Sequence, residues 1–217
     1  MRIFMGGAFE TEREEVAYFM RRLYEKGLTT TSGGNLSVRL PNGHALVTPS
    51  GSDKGRMRAD EIGEVTLDGK AVTPGFRPSI ESFMHLGIYK ARPDVSAVTH
   101  AHPVTASAFC ASEAKINLNY ISESYAILGK IIYAGYFTPG SPELASAVAE
   151  AASKGNCVIM RNHGVLTVGK SLLESFDRLE VLESAAKITL LTRLLGGKTD
   201  ELSPEALAAL DKAMGRL

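Results

Sequence analysis

Three histidines carry the strongest chemical signal in this 217-residue chain. His100 and His102 close the apolar run VSAVTHAH, and His163 sits in RNHGVL, where a second apolar run meets a glycine turn. Side chains alternate along a strand, so His100 and His102 point to one side with Cα atoms ~6.5 Å apart. Two imidazoles at that spacing can converge on one ion, since Zn–N bonds are ~2.0–2.1 Å and the rings reach inward. A His-x-His pair alone also describes surface residues or satisfied core donors; a third imidazole in a similar setting favours the metal reading. Three neutral ligands leave a position open for water or substrate, as a catalytic zinc requires. Glu81 is the candidate acid/base, because a carboxylate beside a divalent ion can ligate it or exchange a proton with substrate carbon. The other reading of Glu81 is a first-turn carboxylate that favours the helix dipole. His85 follows it by four, shares its helix face and reads as a packing residue, while His44 in a hairpin turn reads as solvated.

Two loops have the composition of anion holders. TTTSGGNLSVR places Ser32, Gly33, Gly34 and Asn35 before a strand, and TPSGSDKGR adds Ser50, Gly51, Ser52, Lys54 and Arg56. Glycines let consecutive N–H groups turn toward one point. Ser79 adds an N–H and a hydroxyl at a predicted helix start, where negative charge is favoured. Each segment alone is a generic turn; together they could bind one phosphate.

The elements that must position these groups follow from spacing. Val16, Phe19, Met20, Leu23 and Tyr24 predict a helix over 9–26, closed by Gly27. Residues 35–39 and 44–48 read as strands joined by the turn LPNG. A further strand is expected near 62–67, then a helix over 80–91 with Ser79 as N-cap. A buried strand over 95–100 precedes a helix from Pro103 to about 111. An Ala-rich helix follows over 142–153, with Pro142 at its start. Strands 157–161 and 165–168 flank the NHG turn, and helices over 171–195 and 204–214 end the chain. Strands and helices mix without a strict βαβ rhythm. The expected fold is therefore a single α/β domain over 1–217, layered α/β/α, around a mixed, largely antiparallel central sheet.

Composition narrows the function classes. Hydrophobic residues are 44% and charged residues 22%, ordinary for a globular chain. Lys+Arg and Asp+Glu are both 24, so the broad basic field that non-specific nucleic-acid binding needs is missing. No apolar run nears the ~18 residues of a membrane helix, and the N-terminus turns acidic too early for a secretory signal. Cys110 and Cys157 sit in apolar surroundings and read as inert thiols of a reducing cytoplasm.

Taken in order, SGGNLSVR, TPSG, RPSIESFMHLGIYKARPDVSAVTHAHP, FTPGSPELASAV, RNHGVL and LEVLESAAK resemble the class II aldolase/adducin-head family, nearest its L-fuculose-1-phosphate aldolase group. The likeness runs over nearly the whole chain. It implies that His100, His102 and His163 bind Zn²⁺, with Co²⁺ or Mn²⁺ as alternatives. It implies that Glu81 ligates the metal at rest and moves off to carry the proton. Gly34, Asn35, Ser50, Gly51 and Ser79 match the phosphate pocket. Tyr120 matches a tyrosine that protonates the aldehyde oxygen from the neighbouring subunit of a homotetramer whose sites lie between subunits.

Three departures bear on the substrate. The family's paired serines before the glutamate are Ser79 and Ile80 here, Met214 stands near the place of a C-terminal tyrosine, and SGSDKGRM is closer to methylthioribulose-1-phosphate dehydratases and 5-deoxypentulose-phosphate aldolases. The implied activity is reversible cleavage of a ketose 1-phosphate to dihydroxyacetone phosphate and an aldehyde. A dehydratase, a pentulose-phosphate 4-epimerase and a metal-free adducin-like scaffold are the alternatives.

Overall fold

The turn Pro41-Asn42-Gly43 starts the sheet, because Gly43 takes the left-handed conformation (φ 83°) that reverses the chain without Cβ strain. It joins β1 (Asn35–Arg39) to β2 (Ala45–Val47) in antiparallel register, Ser37 opposite Val47 and Arg39 opposite Ala45. The computed structural model describes residues 9–216. Within them β3 (Gly63–Val65), β4 (Ala97–Ala101), β5 (Ile131–Ala134), β6 (Cys157–Met160) and β7 (Gly164–Gly169) complete one seven-stranded sheet in the order β3-β2-β1-β4-β7-β6-β5. Only the β5–β6 pair is parallel. The fold is the mixed α/β architecture that the residue pattern implied.

Helices cover both faces. On one side lie α1 (Glu10–Glu25), α3 (Val104–Cys110), α4 (Ser122–Leu128) and the long α6 (Leu172–Leu195). They bury Phe19, Met20, Leu23, Phe176, Leu179 and Leu182 against Leu36, Ile159 and Val165 of the sheet. On the other side α2 (Ser82–Ala91) and α5 (Pro142–Lys154) pack Met84, Ile88, Leu144 and Val148 over Val98, Val158 and Leu166. Each fully buried side chain of this kind contributes about 1.5–3 kcal/mol. The pale alternation of β4 and β7, buried at every position, follows from this cover on both faces. A last helix, α7 (Pro204–Ala213), starts from the cap of Ser203, whose hydroxyl accepts from Ala206 N–H. No helix among the described residues is long and apolar enough to cross a membrane.

Several expectations need correction. The helix predicted over 80–91 begins at Ser82, and Glu81, not Ser79, occupies its N-cap position. The Ser79 N–H is taken by the Thr48 carbonyl (3.3 Å), so it is not a free donor. His44 is not simply solvated: its Nδ1 lies 2.6 Å from Glu64 Oε1. Helix α4 and edge strand β5 were not foreseen.

Candidate active site

The sheet register brings the histidines together. His100 on β4 lies opposite Leu166 of β7, and Ala101 opposite Val165, so the β6–β7 turn falls beside His102. Asn162 takes a left-handed conformation (φ 51°), which Asn tolerates better than most residues and which lets the three residues 161–163 close the turn. His163 thereby faces the β4 pair. Ring centroids are 4.7 Å apart for His100–His102, 4.9 Å for His100–His163 and 5.8 Å for His102–His163. One nitrogen from each ring lies within 4.8 Å of the other two.

Glu81 reaches this cluster from the start of α2. Its Oε1 lies 2.7 Å from His163 Nε2 and its Oε2 lies 3.3 Å from His100 Nε2. Asn35 Nδ2 donates to Oε2 at 2.8 Å, and Ser79 Oγ accepts from the Glu81 N–H at 3.3 Å. Asn35 is placed for this by pairing directly with His100 across β1 and β4. Burial would raise the Glu81 carboxyl, but the imidazoles of His163 and His100 beside it outweigh that and hold the group well below the ordinary carboxylate range. His102 moves the other way for a histidine: burial, then the neighbouring His100 and His163, lowers it to about 4. It is therefore a neutral ring with a lone pair at working pH.

The residues fit a bound cation. His100 Nδ1 lies 2.9 Å from the Val165 carbonyl, which places the proton on Nδ1 and leaves Nε2 as the lone-pair nitrogen. Buried His100 Nε2 and His163 Nδ1 have no hydrogen-bond partner among the described residues, although unpaired buried polar atoms are rare. Two glycines clear the space. A Cβ at Gly164 would stand 2.5 Å from His102 Cδ2, and one at Gly33 would stand 3.0 Å from His102 Nδ1.

The three anion-type segments meet at the same place. Lys54 N–H donates to the Thr31 carbonyl (2.9 Å), Ser50 N–H to Arg77 (3.0 Å), and Pro49 bridges Pro78 in an isolated ladder contact. Residues 29–35, 48–56 and 77–81 thus form one wall, with Gly33 against the metal-binding candidate His102. Gly34 (φ 69°) and Gly51 (φ 67°) both need the left-handed region, so their composition is conformational as well as spatial. Of the sequence-assigned phosphate residues, Asn35 points its amide at Glu81. Tyr120, on the 3₁₀ turn Leu118–Tyr120, makes no hydrogen bond, ion pair or ring contact with Glu81 or the histidines of its own chain.

Other supporting residues carried no local signal. Both carboxylate oxygens of Glu183 on α6 accept from the Thr105 and Ala106 N–H groups (2.9 and 2.7 Å), capping α3 directly after His102. Ser37 links His85 Nδ1 and the Tyr89 hydroxyl, each at 2.7 Å, into a buried polar chain beneath the site. The two cysteines stay out of the chemistry: burial pushes Cys110 up to about 11 and Cys157 up to about 12.

Comparison with known proteins bears on the family and the fold. Residues 14–190 match the family described as the Class II Aldolase and Adducin N-terminal domain. A Haemophilus influenzae 3-oxo-tetronate 4-phosphate decarboxylase is 34% identical over 181 residues, 82% of this chain and 86% of that protein. A Methanocaldococcus jannaschii L-fuculose phosphate aldolase is 34% identical over 184 residues, 85% of this chain and 98% of that one. The solved structure of an L-fuculose 1-phosphate aldolase superposes with a TM-score of 0.85 at 30% identity, covering 94% of this chain and 95% of its own.

Proposed function

The chain belongs to the class II aldolase and adducin N-terminal domain family, and from that premise we propose that it is a zinc-dependent aldolase that cleaves a ketose 1-phosphate to dihydroxyacetone phosphate and an aldehyde. The observation that carries this reading is the Glu81 carboxylate held between His100 and His163, beside a wall of glycine and serine loops. His100, His102 and His163 would hold the divalent ion, Zn²⁺ or else Co²⁺ or Mn²⁺. When bound, it supplies Lewis acidity toward the substrate carbonyl, worth most as negative charge develops there.

The chain's own groups do the rest. Gly34, Asn35, Ser50, Gly51 and Ser79 hold the phosphate end and fix which carbon faces Glu81. On cleavage, the carbon of the dihydroxyacetone half is left with the bonding pair, and Glu81 delivers a proton to it; in the condensation direction Glu81 takes that proton away. The position of Glu81 sets its proton affinity. Beside the imidazoles the carboxyl is held ionised; a position away from them, where burial favours the neutral form, would let it carry the proton it delivers. Tyr120 of a neighbouring subunit in a homotetramer takes the proton from the hydroxyl that becomes the aldehyde oxygen. The protein acts on a small sugar phosphate in the cytoplasm, without nucleic acid or membrane.

The names of several relatives favour a second reading on the same residues, decarboxylation of 3-oxo-tetronate 4-phosphate. There the bond that breaks also leaves its electron pair next to a ketone, and carbon dioxide departs in place of the aldehyde. Protonation of that carbon then gives the same three-carbon phosphate. Incubating the purified, metal-loaded protein with fuculose, rhamnulose, 5-deoxyribulose and methylthioribulose 1-phosphates and with 3-oxo-tetronate 4-phosphate separates the readings. Dihydroxyacetone phosphate with an aldehyde supports the aldolase, and dihydroxyacetone phosphate with carbon dioxide the decarboxylase. A diketone or an epimer without carbon–carbon cleavage overturns both, and failure to bind any divalent ion points to the scaffold.

A further inference from the structure

Lys54 is a buried cation that no carboxylate among the described residues pairs with. The residue is 2% exposed. Its Nζ donates to the Pro49 carbonyl at 3.0 Å and meets the Ser52 hydroxyl at 3.2 Å. Among the described residues nothing takes the third N–H, and no carboxylate stands within ion-pairing distance. The charges of Glu61 and Glu81 act on it only from further away. Burial lowers the ammonium to about 8 against that pull, so it stays protonated at neutral pH. A buried charge without a counter-ion is costly, and its retention calls for an anion that arrives with function.

Its location says which anion. The two groups that Nζ touches, Pro49 and Ser52, bracket Ser50 and Gly51, and the Lys54 backbone ties this loop to Thr31 of the glycine loop. The ammonium therefore lies behind the junction of the three loops, whose assigned phosphate-holding residues are all uncharged. Arg56 on the same loop is exposed (its side chain 89%), where water and salt weaken what it offers. We propose that Lys54 is the counter-ion of the substrate's phosphate monoester, a positioning residue that makes this pocket select phosphorylated over unphosphorylated ketones. The inference rests on the phosphate reading of these loops and adds the one full charge that reading lacks.

The test is calorimetric titration of the metal-loaded protein with dihydroxyacetone phosphate, dihydroxyacetone and inorganic phosphate, alongside kcat and KM on whichever substrate the product assay identifies. Lys54→Met should weaken dihydroxyacetone phosphate and inorganic phosphate about 10- to 100-fold, as expected for loss of a charge-assisted contact. Dihydroxyacetone binding should be unchanged, and the kinetic loss should fall on KM more than on kcat. Lys54→Arg should recover most of the phosphate affinity, and Lys54→Gln, which keeps a donor but no charge, should not. Lys54→Gln also stands in for the methionine variant if that one does not fold. Unchanged phosphate affinity in the folded neutral variants, equal loss for all three ligands, or recovery by Gln as full as by Arg would overturn the proposal. A wild-type protein that binds neither phosphate ligand would instead sink the phosphate reading itself.

Discussion

Glu81 matters at the residue scale because its acidity is a property of contact, not of sequence. Two imidazoles hold the carboxyl far below its usual range while burial pulls the other way. Replacing it with Gln keeps the volume and the Asn35 and Ser79 contacts but removes the transferable proton. Glu81→Gln should retain bound zinc, since three histidines remain, and lose roughly 10²–10⁴-fold in turnover. Metal analysis and steady-state rates on one preparation check both halves; full activity would refute the role. His85 gives a different residue-scale prediction. Complete burial lowers it from 6.5 to about 3. The unfolded chain therefore takes up a proton that the folded chain refuses between those pH values. The stability contributed by neutral His85 is complete above pH 6.5 and drains away as pH falls toward 3, by at most about 1.4 kcal/mol per pH unit. His85→Gln should be less stable than the parent at pH 7, with a gap that narrows as pH is lowered to 4; urea midpoints across that range would show it, and a constant gap would contradict it.

At the scale of elements, the site is the meeting of strand ends, and glycines set how closely they meet. Gly164 opens β7 where a Cβ would stand 2.5 Å from His102 Cδ2 and 2.8 Å from the Ala101 carbonyl. A ring can rotate, but the backbone oxygen is fixed by the β4–β7 ladder. Gly164→Ala should therefore displace the His102 ring and weaken zinc about 10- to 100-fold, read by competition with a chromophoric chelator; unchanged affinity would mean that the β6–β7 turn does not set the geometry. The same scale explains what could be read from residues alone. The β1–β2 hairpin was legible because Asn42-Gly43 is a local turn signal, and α1, α5 and α6 because their apolar periodicity and caps are local too. β5 was not, since Ile131–Ala134 is a short unalternating apolar run at the sheet edge that gains its identity from pairing with β6. The histidines and Glu81 stood out by type. Their convergence, the Asn35–Glu81 bond and the Glu183 clamp on α3 are long-range consequences of strand order, which no local pattern encodes. Ser79 misled for a related reason: its N–H looked free as a helix cap, yet β2's extension through Thr48 claims it.

At the scale of the whole molecule, the proposed mechanism calls on a residue that one chain does not bring to the site. Among the described residues no contact brings Tyr120 to the imidazoles, and exposed Leu191, Leu194 and Leu195 (47, 72 and 86%) leave an apolar stripe at the end of α6 of the kind that marks association. If the tyrosine acts across an interface of a cyclic assembly, the two halves of a site come from different copies. Tyr120→Phe and Glu81→Gln would then each silence a homo-assembly for unrelated reasons. In a mixed assembly, some interfaces would pair an intact Glu81 from one copy with an intact Tyr120 from its neighbour. Random one-to-one mixing should restore about a quarter of the sites, as a head-to-tail ring predicts. Co-expression of the two variants with different affinity tags, followed by purification on both, yields the mixed species for assay, and light scattering gives its mass. Recovered activity in a tetramer supports shared sites. A tetramer that stays inactive, with both variants folded and zinc-loaded, would place the aldehyde-side proton on some group other than Tyr120 of a neighbour.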